Sequence, residues 1–344
     1  MSNIQGEIGR TMKVKWLVMA LRYLSIFALG AQMGLVNACT RSSRASGNTV
    51  LHTTISADGQ IVAALWNAGS EQQVLCVRHL ATDTRWRSVK APALTQSIRF
   101  ASQGHDLLLT YAVPAINREV LARLDMDRPG ADPVKVYEAE DLAFPVEIGP
   151  GLILVRTRKP TDPKGPKLYY LSGYHWILIG PGNQVKKVGP DPVLPYNAPN
   201  VVGSGFFWVE EQTGAKKEAH PLVLSYPLPG GTAPVFSRER LDKNTFTVRC
   251  DATANRCLRK YLTNDGQRPA VPYIYDVEVL LGSQRCKLPG VAGWLDSFSI
   301  TPDGNAAVLS TAAGSDKPRH VVAIKFNPQQ CSPTSIQHIH FEEK

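Results

Sequence analysis

The 344-residue chain is poor in long apolar runs. Past residue 36 none approaches the roughly 20 residues of a membrane-crossing helix, which excludes a multi-span membrane protein. It lacks a convincing amphipathic helix after residue 40, which excludes a helical bundle. Charged residues reach only 19% and apolar residues 43%, a globular balance that rules out wholesale disorder and a fibrous repeat. Familiar chemistry is scarce too. Gly203-Ser204-Gly205 lacks the outer glycines of a G-x-S-x-G elbow, and no helix follows it. Gly180-Pro181-Gly182-Asn183, with Lys186 and Lys187, lacks the G-K-[ST] of a phosphate loop. Asp-Gly turns occur without the further ligands of a calcium loop. No nucleic-acid-binding motif is present, and no cofactor is expected.

Turn formers and short apolar runs are what the chain has in quantity. Glycine and proline number 27 and 25, which fits many short elements. Segments 53–65, 97–111 and 297–310 share a pattern of apolar strand, polar turn, apolar strand. Segments 145–155, 200–210 and 245–258 are looser copies, and the six lie about 49 residues apart. Second strand pairs are expected between them: 73–80 with 85–89, 168–171 with 176–179, 222–226 with 234–237, and 321–326 with 336–341. Six units of four strands predict an all-β fold, a β-propeller of about six four-stranded blades. A seven-bladed ring and a pair of sandwiches are the rivals. The turns Ser56-Ala57-Asp58-Gly59 and Thr301-Pro302-Asp303-Gly304 resemble the S-P-D-G turn of WD-repeat and TolB-type propellers. Only two units carry Asp-Gly, and the Trp-Asp dipeptide of WD repeats is missing.

Lys13 and Lys15 precede an apolar run from Trp16, interrupted by Arg22 and resumed over 23–36. This is the order of a secretory signal. Leu35-Val36-Asn37-Ala38-Cys39 resembles the lipobox of bacterial lipoproteins, with Val36 and Asn37 departing from its usual residues. The resemblance implies a signal peptide over 1–38, lipidation of Cys39, a polar tether over 39–48 and the propeller over 49–344. Thr40 after the cysteine favours the outer membrane over the inner, with the protein facing the periplasm. An uncleaved anchor helix would bury Arg22. Translation from Met12 would give a more ordinary signal.

Five more cysteines follow Cys39, and an exported protein can oxidise them. Cys250 and Cys257 flank a short turn and are expected to pair. Cys286 and Cys331 are the expected second pair, with a role in closing the ring. Cys76 lies in an apolar run and reads as a buried free thiol. Zinc is disfavoured, because the C-x₂-C knuckle spacing is absent. His338 and His340 share one strand face, where two imidazoles could meet a metal if a third ligand joined them.

The net charge of +9 is a mild excess once the signal is set aside. Its densest basic stretch, 156–167, is proline-rich and reads as a loop, either merely solvated or in contact with an acidic partner. Candidate partner contacts are Lys159, Lys164 and Lys167 there, with Tyr174, Trp176, Tyr196 and Trp208 as aromatic anchors. A lipid-anchored propeller that binds a protein partner is the expected function. The layout resembles immunity lipoproteins that neutralise toxins injected by type VI secretion. An outer-membrane assembly scaffold is one alternative. The other is a hydrolase or lyase with its site in the central funnel, to which Asp58, Asp106, Asp303 and the histidines could contribute.

Overall fold

The computed structural model describes residues 49–341, apart from 68–72, 159–173, 190–197, 211–220, 264–274, 313–318 and positions 129, 243 and 292. The expected signal segment, Cys39 and the expected tether lie outside the described residues. Within them the chain forms six antiparallel sheets, each from consecutive strands. The first sheet is β1 (Thr49–Ile55), β2 (Ile61–Asn67), β3 (Gln73–His79) and β4 (Arg87–Val89). The second is β5 (Thr95–Phe100), β6 (Asp106–Val113), β7 (Arg118–Asp125) and β8 (Val134–Ala139). The third is β9 (Leu142–Gly149), β10 (Leu152–Arg158), β11 (Tyr174–Ile179) and β12 (Val185–Val188). The fourth holds β13 (Asn200–Val202), β14 (Gly205–Glu210) and β15 (Leu222–Pro227). The fifth is β16 (Thr245–Cys250), β17 (Arg256–Leu262), β18 (Tyr275–Leu281) and β19 (Gln284–Lys287). The sixth is β20 (Trp294–Ile300), β21 (Ala306–Ala312), β22 (His320–Phe326) and β23 (Pro333–His340).

These sheets are the blades of a six-bladed propeller. Side-chain alternation along the strands assembles the ring. In β2, Val62, Ala64 and Trp66 enter one apolar cluster, while Ile61, Ala63 and Leu65 enter another. In β21, Ala306 and Val308 share the cluster of Trp66, while Ala307 and Leu309 face the fifth blade. Each of the six apolar clusters joins one pair of neighbouring blades. The first strand of each blade is innermost, and β1 touches both β5 and β20.

Two expected strands differ. Segment 168–171 lies outside the described residues, and the outer partner of β11 is β12. Segment 234–237 is not a strand, so the fourth blade has three strands among the described residues. Pro234 has no N–H for a ladder, and Ser237 accepts the Glu239 N–H to cap a single 3-10 turn, Arg238–Arg240. Phe236 instead stacks on Phe207, with ring centroids 4.6 Å apart.

Cys250 and Cys257 are bonded across the β16–β17 hairpin, and Cys286 is bonded to Cys331. The second bond joins the fifth and sixth blades, so the expectation that it closes the ring is corrected. Cys76 is disulfide-bonded, not a free thiol. Arg256 reinforces the joint between the fifth and sixth blades. Buried, it donates to the carbonyl oxygens of Gly304 at 2.6 Å, Asn327 at 2.7 Å and Gln330 at 2.9 Å.

Among the described residues closure rests on face packing, because no sheet there mixes strands from the first and last blades. Phe341, just past β23, stacks on Trp86 at 4.7 Å and lies 4.5 Å from Trp66. The Thr53 N–H donates to Ser297 Oγ across the same joint at 3.1 Å. Phe341→Ala should therefore destabilise the protein by about 3–5 kcal/mol. Hydrogen exchange should rise in the first and sixth blades before the others; a uniform rise would place closure elsewhere.

Candidate functional site: the axial channel

The inner strands enclose a channel with two connected cavities, of about 180 and 220 Å³. Its wall follows from a turn repeated around the ring. The connection from first to second strand carries a left-handed residue in every blade: Gly59, Gly104, Gly151, Gly203, Ala254 and Gly304. In the first blade, Ser56 Oγ donates to Asp58 and accepts the Ile61 N–H at 2.9 Å. In the sixth, Thr301 and Asp303 repeat this arrangement. In the fifth, Asp251 accepts the N–H groups of Thr253, Asn255 and Arg256. Such anchoring fixes how far each inner strand runs, and so which side chains reach the axis.

Five residues before the left-handed position stand Thr54, Arg99, Arg249 and Ser299 in the first, second, fifth and sixth blades. All four line the channel. A β-bulge lies upstream in each of these strands, leaving Leu51, Gln96, Phe246 and Asp296 out of register. Bulges re-aim the residues that follow them, and His52 and Thr247 also line the channel.

Arg249 Nη1 donates to the Val248 carbonyl at 2.9 Å and the Ala198 carbonyl at 3.1 Å. Its guanidinium lies 5.6 Å from the Phe298 ring centroid. Burial, then the like charge of Arg99, lowers the Arg249 guanidinium to about 9. Burial lowers Arg99 to about 10. Both groups stay charged at neutral pH. Burial, with the nearby Arg249 charge, pushes the His52 imidazole down to about 4, which keeps it neutral. Glu147 borders the second cavity. Its carboxylate is taken by Arg123 and by the N–H groups of Ser102 at 3.1 Å and Gly151 at 3.2 Å.

The expected aromatic anchors fall elsewhere. Trp176 and Trp208 are fully buried, pack 5.8 Å apart between the third and fourth blades, and are not surface contacts. Tyr174 is partly exposed; its hydroxyl donates to Asp141 at 3.0 Å and its ring carries the Arg156 guanidinium at 4.4 Å. Arg156 and Arg158 belong to β10, so the basic stretch begins in a strand. Lys159, Lys164, Lys167 and Tyr196 lie outside the described residues. His338 and His340 sit on the outermost strand of the sixth blade, and His320 joins them, its Nε2 3.1 Å from His338 Nδ1. No metal-holding group of three or more His, Cys, Asp or Glu is found among the described residues.

Asp58, Asp106 and Asp303 do not converge. Asp58 meets His105 at 3.0 Å, Asp106 meets Arg123 at 2.9 Å, and Asp303 is held by Thr301 and Asn305. Sequence reading counted His52 only among the histidines at large, and missed Arg99 and Arg249. The signal was there: Arg99 and Arg249 occupy the same place in the repeat, in Ser-Ile-Arg-Phe and Thr-Val-Arg-Cys.

Neither a protein-family model nor a curated protein matches the chain. Solved structures do match. TolB from Acinetobacter baumannii aligns with TM-score 0.53 and 12% identity, over 83% of this chain and 67% of that one. A putative TolB from Agrobacterium tumefaciens aligns with TM-score 0.47 and 12% identity, over 81% of this chain and 91% of that one. Acylaminoacyl peptidase from Pyrococcus horikoshii aligns with TM-score 0.48 and 11% identity, over 79% of this chain and 43% of that one. The chain thus spans less than half of that peptidase. The fold is a TolB-type six-bladed propeller.

His52 makes stability depend on pH in a defined direction. Its unfolded value is near 6.5 and its folded value about 4. Between these the unfolded chain takes up a proton that the folded chain refuses, so this contribution to stability is full above pH 6.5 and lost as pH falls toward 4. His52→Gln should narrow the Tm gap between pH 7 and pH 5. An unchanged gap would mean that the imidazole titrates freely.

Proposed function

We infer that the chain is an exported, lipid-anchored propeller that binds a protein partner, most specifically as an immunity lipoprotein that neutralises an injected toxin. One observation supports export: Cys250–Cys257 and Cys286–Cys331 are disulfides. Such bonds persist in oxidising compartments, and the signal-like N-terminus supplies the route. The form of the ring supports binding. Each second-to-third strand connection leaves from the end of the ring opposite the Asp-Gly turns, at the mouth lined by His52 and Thr247. The longest of these in sequence, between β10 and β11, contains Lys159, Lys164 and Lys167. Connections held on a rigid scaffold are where folds place binding residues, and the three lysines suit an acidic partner surface.

The lipid anchor is tested by metabolic acyl labelling. An anchored chain takes up label that Cys39→Ser abolishes. Absent label would remove the anchor and leave export standing.

Binding is tested by immobilising the mature chain and exposing it to envelope and secreted fractions. A stoichiometric secreted hydrolase is expected. Reversal of Lys159, Lys164 and Lys167 to Glu should weaken its capture, chiefly by slowing association. Recovery of membrane-assembly components instead would replace the immunity reading with the scaffold reading. No partner at all would overturn binding.

A further inference from the structure

We propose that the axial channel is a binding site for a small oxyanion, of the phosphate or carboxylate class, held between Arg99 and Arg249. The inference stands apart from the protein-binding reading and does not rest on it. In a six-membered ring the second and fifth blades face each other across the axis. Their equivalent residues, Arg99 and Arg249, line the same cavity. Equivalence within the repeat puts them at one height in the channel, with Thr54 and Ser299 from the first and sixth blades.

Neither arginine forms an ion pair with a carboxylate among the described residues. The hydrogen bonds of Arg249 among the described residues all pass through Nη1, to two carbonyl oxygens and to Thr247 Oγ1. Its Nε and Nη2 remain as donors, and the whole Arg99 fork remains as well. Glu147, the carboxylate that borders the second cavity, is already engaged by Arg123 and two backbone N–H groups. Arg99 and Arg249 thus share the cavity with Lys260, whose Nζ donates to the Leu295 carbonyl at 2.7 Å, and burial makes each arginine harder to keep charged there than in water. Like charges brought together out of bulk solvent are costly unless an opposite charge joins them.

The wall adds donors of the right kind. Thr54 Oγ1 accepts the Phe100 N–H at 3.2 Å, and Ser297 Oγ accepts the Thr53 N–H at 3.1 Å. Each oxygen is engaged as an acceptor, so its own O–H is left to donate. Two guanidinium forks with hydroxyl donors suit the planar or tetrahedral oxygens of carboxylate or phosphate. They repel a metal cation. A cavity of 180 Å³ has room for such an anion and a few waters, each taking roughly 30 Å³.

The test uses the mature chain with its disulfides intact. Inorganic phosphate, acetate and citrate are titrated separately by calorimetry and thermal melting, with sodium chloride at equal ionic strength as reference. Saturable one-site binding and a raised Tm are expected with at least one of them. The phosphate and carboxylate arms identify the class. Arg99→Gln and Arg249→Gln should each weaken binding by roughly 10- to 100-fold, while Lys186→Gln, on exposed β12, should not. Each channel variant should also melt at or above the wild-type Tm without anion, because one of two repelling charges is gone. No effect beyond that of chloride would overturn the proposal. So would binding that survives in both arginine variants.

Discussion

Every blade in this ring is stabilised from outside itself. A four-stranded sheet of this size buries little on its own; its two faces become core only when a neighbour covers each one. The six apolar clusters are those covered faces, one for each joint. The demand explains the runs of full burial in the second strands. Ile61 to Trp66 are all at 2% exposure or less because successive residues feed different joints. It also explains the fate of the tryptophans. Trp176 and Trp208 fill the joint between the third and fourth blades, and Trp66 and Trp86 the joint between the first and sixth.

That constraint decides what could be read in advance. Apolar–turn–apolar spacing exposed six units, because each joint requires the same alternation from both of its blades. The same alternation hid the identity of the site. Trp176 and Trp208 looked like surface anchors because a residue's face in a strand depends on register, which the isolated run does not fix. Arg99 and Arg249 escaped notice because they sit singly in unlike runs; only alignment on the left-handed turn residues places them at one level. Two of the six turns announce themselves as Asp-Gly. The others use Gly104, Gly151, Gly203 and Ala254 in different surroundings, which the backbone angle reveals and the letters do not. Segment 234–237 misled because its apolar residues serve the joint through Phe236 without entering a ladder.

The joints are unequal in kind. Between the fifth and sixth blades, the apolar cluster is backed by a covalent bond and by the three short hydrogen bonds of Arg256. Between the second and third, Arg123 and Glu147 add a charged link beside the channel. Between the first and sixth, aromatic stacking and one backbone-to-serine hydrogen bond suffice. Polar reinforcement thus lies on both sides of the ring, at a joint of the blade that carries Arg249 and at a joint of the blade that carries Arg99. Holding an uncompensated cation at a fixed height requires that its strand not slide, and the Asp251 turn with the Arg256 link fixes β16 and β17 in place.

Among the described residues no strand is exchanged across the seam, and this makes the order of the blades topologically arbitrary. The chain passes from the outer strand of each blade to the inner strand of the next; between β8 and β9 the link is only Glu140 and Asp141. The two ends of the described propeller stand in that same relation, β23 the outer strand of the last blade and β1 the inner strand of the first, which packs against it. A short peptide joining them, with the chain opened at any other outer-to-inner link, would leave every sheet whole. The ring is in this sense a necklace without a privileged first bead, and its sequence could be read from six starting points.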